Sequence, residues 1–375
     1  MTRTVVSLVL NNFTNDSRVS KEANSIAAMG HTVKIVALHE PGLAEHESCE
    51  NYTIHRVKLL TKNWGKSKFI QLLKYIELFI RVVVQYRKVD IVHSHDLSAL
   101  PIGCAIKFTS YPNKKLIYDA HEYAINDLPF ESKLRQMIKK RIESFFIIWV
   151  DSLITVSDGI ADLYEKVYGL SSKPSVVLNC PLLISRVSSN ILKEKLSLPK
   201  ETYVFLYQGA LTKGRGIQYF IDSFKKIDDP NLALIFMGFG ELVGMIESQE
   251  DERIFYVPAV SPLDLAFYTA SADCGVALIE DSCLSYRYCL PNKIFEYFMA
   301  GLPVIVSDLP EMRNVINEYD VGVLCSPGEP SAIEEAIQAV RCFDNATLDI
   351  NLKKINKKFN WQNQEKILRT VYESI

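Results

Sequence analysis

In the stretch Tyr288 to Asp308, YCLPNKIFEYFMAGLPVIVSD, a lysine falls where a helix should tolerate it least. The pattern predicts a helix opened by Pro291, run from Asn292 through Met299, stopped at Gly301 and followed by a strand from Val304 to Ser307. Free backbone N–H groups in a first turn carry partial positive charge and favour anions. This first turn nevertheless holds Lys293 and no carboxylate, an arrangement that makes sense if an anion docks between the amine and the N–H groups. Glu296 follows on the same face, about 4.5 Å further along at ~1.5 Å per residue, roughly the step from a diphosphate to a ribose. One face thus offers phosphate donors first and a hydroxyl acceptor second. Taken alone, an ordinary exposed Lys293/Glu296 pair on an amphipathic helix is the better reading.

Other segments have similar chemistry. The strand YVFLYQ runs into Gly209, then Lys213, Gly214, Arg215 and Gly216, and then a helix. Glycines let a backbone turn its N–H groups toward an anion, and Arg215 and Lys213 add cations. With Lys293 this becomes a diphosphate clamp that needs no metal; without it, an ordinary turn. Gly238 and Gly240 of MGFG either let a ligand approach or make a tight turn, and Tyr256 to Val260 either walls a base pocket or belongs to the core. His93-Ser94-His95-Asp96 and Asp119-Ala120-His121-Glu122 end predicted strands, where open α/β sheets bind ligands. His-x-His lacks an evident third metal ligand, which favours a structural role over zinc. His121 reads evenly as a neutral donor to a substrate hydroxyl or as a satisfied histidine at a strand end. The loop NNFTNDSRVSKEANSIAAMGH replaces a glycine-rich dinucleotide fingerprint, which counts against NAD or FAD. Asp16 or Ser17 should cap the helix after it, with Val19, Ala23, Ile26 and Ala27 on the sheet. Arg18 in its first turn is expected to be exposed unless an anionic or hydroxyl-rich ligand reaches it.

These residues need a framework. A chain of 375 residues exceeds the usual size of one core, so two domains are expected. Apolar runs without alternation, the mark of buried parallel strands, occur at Val5–Leu10, Val33–Leu38, Thr53–Val57, Ile91–Ser94, Leu116–Tyr118, Leu153–Val156 and Val176–Leu178. A second series occurs at Val204–Tyr207, Ala233–Met237, Ile254–Val257, Cys274–Leu278, Val304–Val306 and Gly322–Cys325. Alternating with helical patterns, they predict two doubly wound α/β domains. We expect domains at 1–180 and 181–358, and a helix in 359–375 that packs back on the first.

The net charge of −2 excludes the basic excess of a nucleic-acid binder. Eight cysteines without C-x-x-C read as buried reduced thiols. No D-x-D occurs, which removes the usual carboxylate pair for a metal-bound sugar nucleotide. The N-terminus lacks the pattern of a signal peptide, and a cytoplasmic protein is expected. Phe69 to Lys88 carries a polar stripe unsuited to a membrane span. Its basic surroundings, and a second cluster at Lys133, Arg135, Lys139, Lys140 and Arg141 before FFIIWV, suit either an anionic membrane surface or solvated helix faces over a core.

Taken in order, DSRVSKEANSIAAMGHTVKIVA, HSHDLSAL, YDAHEY, DSLITVSDGI, VVLNCP, QGALTKGRGIQYFIDSF, FYVPAVSPLDLAFYTASADCGVAL and PNKIFEYFMAGLPVIVSD resemble the retaining family 4 glycosyltransferases. That resemblance implies the GT-B fold, two Rossmann-like domains facing across a cleft, and sugar transfer without a metal or cofactor. It implies that Glu296 binds the donor ribose, that Arg215 and Lys293 meet the donor phosphates, and that His121 lies at the donor sugar near the reacting carbon. Gly209, Gly238, Asn292 and Tyr288 join the donor side, and Asn12, Arg18, His95 and Asp96 the acceptor side. Three positions depart from the pattern. Tyr288 replaces the first glutamate of the family's pair, with Glu280 a stand-in at the wrong spacing; Ala210 sits where many relatives have arginine; and the first loop lacks a glycine pair. The expected activity is transfer of a hexosyl or N-acetylhexosaminyl group from a nucleoside diphosphate sugar, UDP-linked, to a glycan or lipid-linked glycan in bacterial envelope or capsule synthesis, at the inner face of the membrane. Two rivals are a sugar-nucleotide epimerase of the same fold and an inactive scaffold subunit.

Overall fold

The computed structural model describes residues 2–109 and 114–375, which form two compact units. Unit 1 comprises residues 1–127, 131–177 and 365–375; unit 2 comprises 128–130 and 178–364.

Unit 1 carries strands β1 (Thr4–Leu8), β2 (Thr32–Leu38), β3 (His46–Ser48), β4 (Tyr52–Val57), β5 (Ile91–His95), β6 (Lys115–Ala120), β7 (Ser152–Thr155) and β8 (Ser175–Val176). They form one sheet in the order β3-β4-β2-β1-β5-β6-β7-β8. Only the β3–β4 pair is antiparallel, and β3 is the one strand that the apolar runs did not foretell; its residues are all exposed. Helices α1 (Ser17–Ala28), α2 (Lys68–Gln85), α3 (Asp96–Lys107), α4 (Lys133–Ile147) and α5 (Asp158–Tyr168) connect the strands. Asp16 caps α1 by accepting from the Val19 N–H.

Unit 2 opens with α6 (Ile191–Lys195) and then carries β9 (Tyr203–Ala210), α7 (Ile217–Lys225), β10 (Leu232–Phe239), α8 (Val243–Glu247), β11 (Ile254–Pro258), α9 (Leu265–Thr269) and β12 (Cys274–Ala277). It continues with α10 (Leu284–Arg287), α11 (Asn292–Ala300), β13 (Val304–Ser307), α12 (Pro310–Tyr319), β14 (Gly322–Cys325), α13 (Pro330–Val340) and α14 (Asn345–Lys358). The last helix, α15 (Trp361–Glu373), begins in unit 2 and ends in unit 1. The sheet order is β11-β10-β9-β12-β13-β14, all parallel. Alternate residues of β9 feed two cores: Val204 and Leu206 pack with Phe295 and Phe298 of α11, while Phe205 and Tyr207 pack with Phe220 and Phe224 of α7. Burial on both faces explains the unbroken apolar runs.

Of the two readings of α2, a solvated face over a core would bury its apolar side. Only Leu78 and Val82 are buried, however, while Phe69, Leu72, Ile76, Ile80 and Val84 lie exposed along one side. Helix α4 behaves alike. Its buried Glu143 accepts from the hydroxyls of Tyr118, Tyr164 and Tyr168 at 2.6, 2.7 and 2.5 Å, which points Leu134, Met137, Ile138, Ile142 and Phe145 outward. No helix of the described residues is long and apolar enough to cross a membrane. Five cysteines are buried, Cys49 and Cys289 are half-buried and Cys342 is exposed; none of the eight is in a disulfide.

Candidate functional site

Unit 2 gathers polar groups at the carboxyl ends of β9, β10 and β12. The strand order reverses there, with β10 on one side of β9 and β12 on the other, and open α/β sheets bind ligands at such points. Helix α11 begins at Asn292, which is exposed, and stops at Gly301 in a left-handed conformation. No side chain caps its start and no acid occupies its first turn, so its N–H groups are available to an anion.

Lys293 lies across Tyr207, its Nζ 3.6 Å from the ring centroid. A Cβ added to Gly209 would stand 3.8 Å from both Cε and Nζ of Lys293. Gly209 has φ +111°, which L side chains rarely adopt. Behind it, Gly238 pairs with Gly209 in register, and a Cβ on Gly238 would fall 1.9 Å from the Gly209 carbonyl oxygen. Glycine is thus required at 209 by the backbone conformation and at 238 by packing.

Arg215 stacks on Tyr286 at 4.5 Å, and its Nε is buried without a hydrogen-bond partner. Its charge reaches Lys293, whose pKa is pushed down to about 7 by burial first and by Arg215 second, against the pull of Glu296. A guanidinium with an unmatched buried N–H, whose charge reaches a lysine in the first turn of an uncapped helix, forms a site short of an anion.

Glu296 follows one turn along α11. Gln208 donates from Nε2 to Glu296 Oε2 at 2.5 Å and accepts from Thr269 Oγ1 at 2.8 Å. Tyr297 fixes the same strand end by accepting the Gln208 N–H at 3.0 Å. Gln208, Thr269 and Tyr207 were not singled out from the sequence; the polar residue ending the apolar strand YVFLYQ was the available signal. Tyr288 is half-buried and closes α10 through its backbone N–H on the Leu284 carbonyl. Lys213 is exposed, with its N–H on Glu241.

Unit 1 has its own reversal between β1 and β5, and Arg18, His95, Asp96 and His121 meet there. Arg18 corrects the expectation of an exposed arginine: it is 4% exposed. Its Nε and Nη2 donate to Oδ2 and Oδ1 of Asp119 at 2.9 and 2.8 Å, and Nη1 donates to the Val177 carbonyl at 2.7 Å. Glu22 Oε1 lies 3.1 Å from the same Nε. Asp119 Oδ2 also contacts His121 Nε2 at 3.0 Å and His95 Nδ1 at 3.3 Å. On the far side of His121, Nδ1 faces Asp96 Oδ2 at 3.6 Å, and Asp96 Oδ1 accepts the His121 N–H at 3.3 Å. Asn12 is committed elsewhere, donating to Glu40 in the loop after β2 at 2.9 Å and accepting from Thr14 of its own loop at 2.8 Å.

Burial opposes a charge on His121, but the Asp96 and Asp119 carboxylates outweigh it and raise its pKa to about 9. His121 is therefore an imidazolium at neutral pH, which corrects the expected neutral donor. Burial, then the Asp119 charge, lifts Glu22 to about 8 against Arg18. Burial lowers His93 and His95 and keeps both neutral. The fold also supplies the partners that His93-x-His95 lacked in sequence, because Glu22, His93, His95 and Asp119 each place one ligand atom within 4.8 Å of the others. The donor set nevertheless fits a dication poorly. Arg18 already grips Asp119 at two points and lies beside Glu22, so an added metal would share its carboxylates with a buried guanidinium.

Residues 18–182 match the family model described as Glycosyltransferase Family 4, and residues 202–341 the one described as Glycosyl transferases group 1. The first match falls almost wholly on unit 1 and the second within unit 2. Among curated relatives, the putative teichuronic acid biosynthesis glycosyltransferase TuaC of Bacillus subtilis is 23% identical over 255 residues, 66% of this chain and 60% of that protein. The matches span between 37% and 75% of the curated relatives' lengths. Among solved structures, a sucrose-phosphate synthase from Thermosynechococcus elongatus aligns with TM-score 0.80 at 17% identity, over 99% of this chain and 98% of that one. HepE of Anabaena, solved with UDP and glucose, aligns with TM-score 0.75 at 14% identity over 100% of both chains. The fold is GT-B, two parallel-sheet α/β domains.

Proposed function

We propose that this protein transfers a hexose-type sugar from a nucleoside diphosphate sugar to a glycan or lipid-linked glycan of a bacterial surface polysaccharide, retaining the anomeric configuration and using no metal. The observation that carries this reading is Lys293 at the uncapped start of α11 with the charge of Arg215 acting on it, and Glu296 one turn further on. As the bond from the anomeric carbon to the diphosphate breaks, negative charge gathers on the leaving oxygens, and the two cations and helix N–H groups stabilise it in place of a metal. Glu296, oriented by Gln208, takes the ribose hydroxyls. His121 and Asp96 serve the sugar and acceptor side, and the acceptor hydroxyl attacks from the face the diphosphate leaves. UDP as the nucleotide is supported by the HepE complex with UDP and glucose, and a surface polysaccharide by the name of TuaC.

The nucleotide is tested by thermal shift with UDP, GDP, ADP and CMP, with and without EDTA. We expect UDP to raise the melting temperature most, unchanged by EDTA. No shift with any nucleotide would contradict the reading.

An acceptor at an anionic lipid surface is supported by two outward apolar stripes, Phe69 to Val84 on α2 and Leu134 to Phe145 on α4. Exposed Lys66, Lys68, Lys133, Arg135, Lys140 and Arg141 flank them. Apolar side chains that enter the interface among lysines and arginines that meet lipid phosphates are how peripheral helices bind. The protein is expected to co-sediment with phosphatidylglycerol vesicles at low salt and to release as ionic strength rises; Phe69→Ser with Phe145→Ser should weaken binding. Absence of co-sedimentation at low salt would exclude this placement.

A further inference from the structure

The buried polar network of unit 1 costs more than a structural cross-link requires. Burying an arginine with two carboxyl groups and two histidines offers little stability over an apolar core of the same shape, and three of these side chains keep buried polar atoms that make no hydrogen bond: both oxygens of Glu22, held to Arg18 only as an ion pair, and Nε2 of His93 and of His95. The network instead ends on one ring that reaches solvent. Side-chain exposure is 4% at Arg18, 0% at Glu22 and Asp119 and 1% at His95, but 21% at His121.

The geometry fixes that ring at both nitrogens. Arg18 holds Asp119 by two parallel hydrogen bonds, which prevents the carboxylate from turning. Its Oδ2 therefore meets His121 Nε2 from one direction, at 3.0 Å. The opposite nitrogen faces Asp96, which opens α3 with φ +65°, a left-handed conformation uncommon for a non-glycine residue. That conformation places one Asp96 oxygen on the His121 N–H and the other toward Nδ1.

We propose that Arg18, Asp119 and Asp96 are positioning residues for His121: Arg18 locks Asp119, and the two aspartates set the ring's orientation and keep a proton on each nitrogen. Arg18 acts here through Asp119 and does not meet a ligand itself. The inference rests on the reading that His121 serves the donor sugar, and its test separates the two. The charged and titratable groups facing His121 are Asp96 from α3, Asp119 from β6, His95 from β5, and Arg18 with Glu22 from α1.

In the full chain with labelled histidine, the His121 resonance should titrate near pH 9 in the wild type. In Asp119→Asn it should titrate at least a full unit lower. Release of UDP from UDP-glucose should fall about 10- to 100-fold in that variant, on the scale lost when a metal-bound histidine loses its orienting carboxylate, with KM little changed and the alkaline limb of the pH profile moved downward. Arg18→Lys, which keeps the charge but not the two-point grip, should lie between. If Asp119→Asn does not fold, Asp96→Asn, at an exposed position, must lower the His121 titration by itself. An unchanged titration in the folded aspartate variants overturns the positioning role. If His121→Ala leaves turnover intact while the titration shifts as expected, the positioning stands and the assignment of His121 to the donor sugar falls.

Discussion

Replacing Lys293 by alanine is expected to lower kcat/KM for the donor by about 100-fold or more, of the order of 3 kcal/mol of transition-state stabilisation. The expectation follows from position more than from charge alone. The amine lies on the Tyr207 ring beside the open backbone of Gly209, at the first turn of α11, where a diphosphate would meet it together with helix N–H groups. Its depressed pKa of about 7 adds a pH signature. Below pH 7 the free protein already carries the proton; above it, the amine is mostly neutral until a dianionic group arrives and draws a proton on. Diphosphate binding should therefore take up close to one proton at pH 8, measured calorimetrically in buffers of different ionisation enthalpy, and affinity should weaken as pH rises through the range above 7. In Lys293→Ala the proton uptake should vanish. Steady-state kinetics and calorimetry on the same variant check both parts, and an unchanged kcat/KM would remove Lys293 from the clamp.

Glu296→Gln is expected to raise KM for the donor about 10- to 100-fold, the range for losing a hydrogen bond to a charged partner, with kcat nearly unchanged because the ribose is bound alike before and during reaction. Gln208 already spends its Nε2 on Glu296 and its Oε1 on Thr269, so an amide at position 296 cannot reproduce the acceptor geometry. A variant that lost kcat while KM held would place Glu296 in the chemistry instead of in nucleotide recognition. Comparing UDP with 2′-deoxy-UDP should reveal the same loss in the wild type, and no such difference in Glu296→Gln.

Helix α11 was legible in the sequence because its information is local. Pro291 and Gly301 bracket it, and Lys293 stands out against the dipole without reference to any other segment. The thirteen strands read from apolar runs appear in the sheets because burial on both faces removes alternation; β3 escaped because its residues are exposed and none is strongly apolar. What stayed hidden depends on residues distant in sequence. Arg18 looks like a surface arginine until β6 brings Asp119 to it across an interval of 101 residues. Glu22 sits beside the apolar positions Val19, Ala23 and Ile26 of α1, and nothing in its neighbours foretells that it is fully buried. The imidazolium state of His121 needs two carboxylates from different elements, and the left-handed backbone of Asp96 leaves no sequence trace. The outward stripes of α2 and α4 mark a different limit: helical periodicity gives the apolar face, but it does not say whether the core or the solvent receives it.

The central claim is that Lys293 and Arg215 exist to receive a diphosphate. Calorimetric titration of the wild type, of Lys293→Ala and of Arg215→Ala with UDP and with UMP tests it most directly, since the two ligands differ only in the second phosphate. The account predicts that the wild type binds UDP about 100-fold tighter than UMP and that the gap closes to a few-fold in either variant. Equal affinity of the wild type for UDP and UMP, or a gap that survives both substitutions, would contradict it.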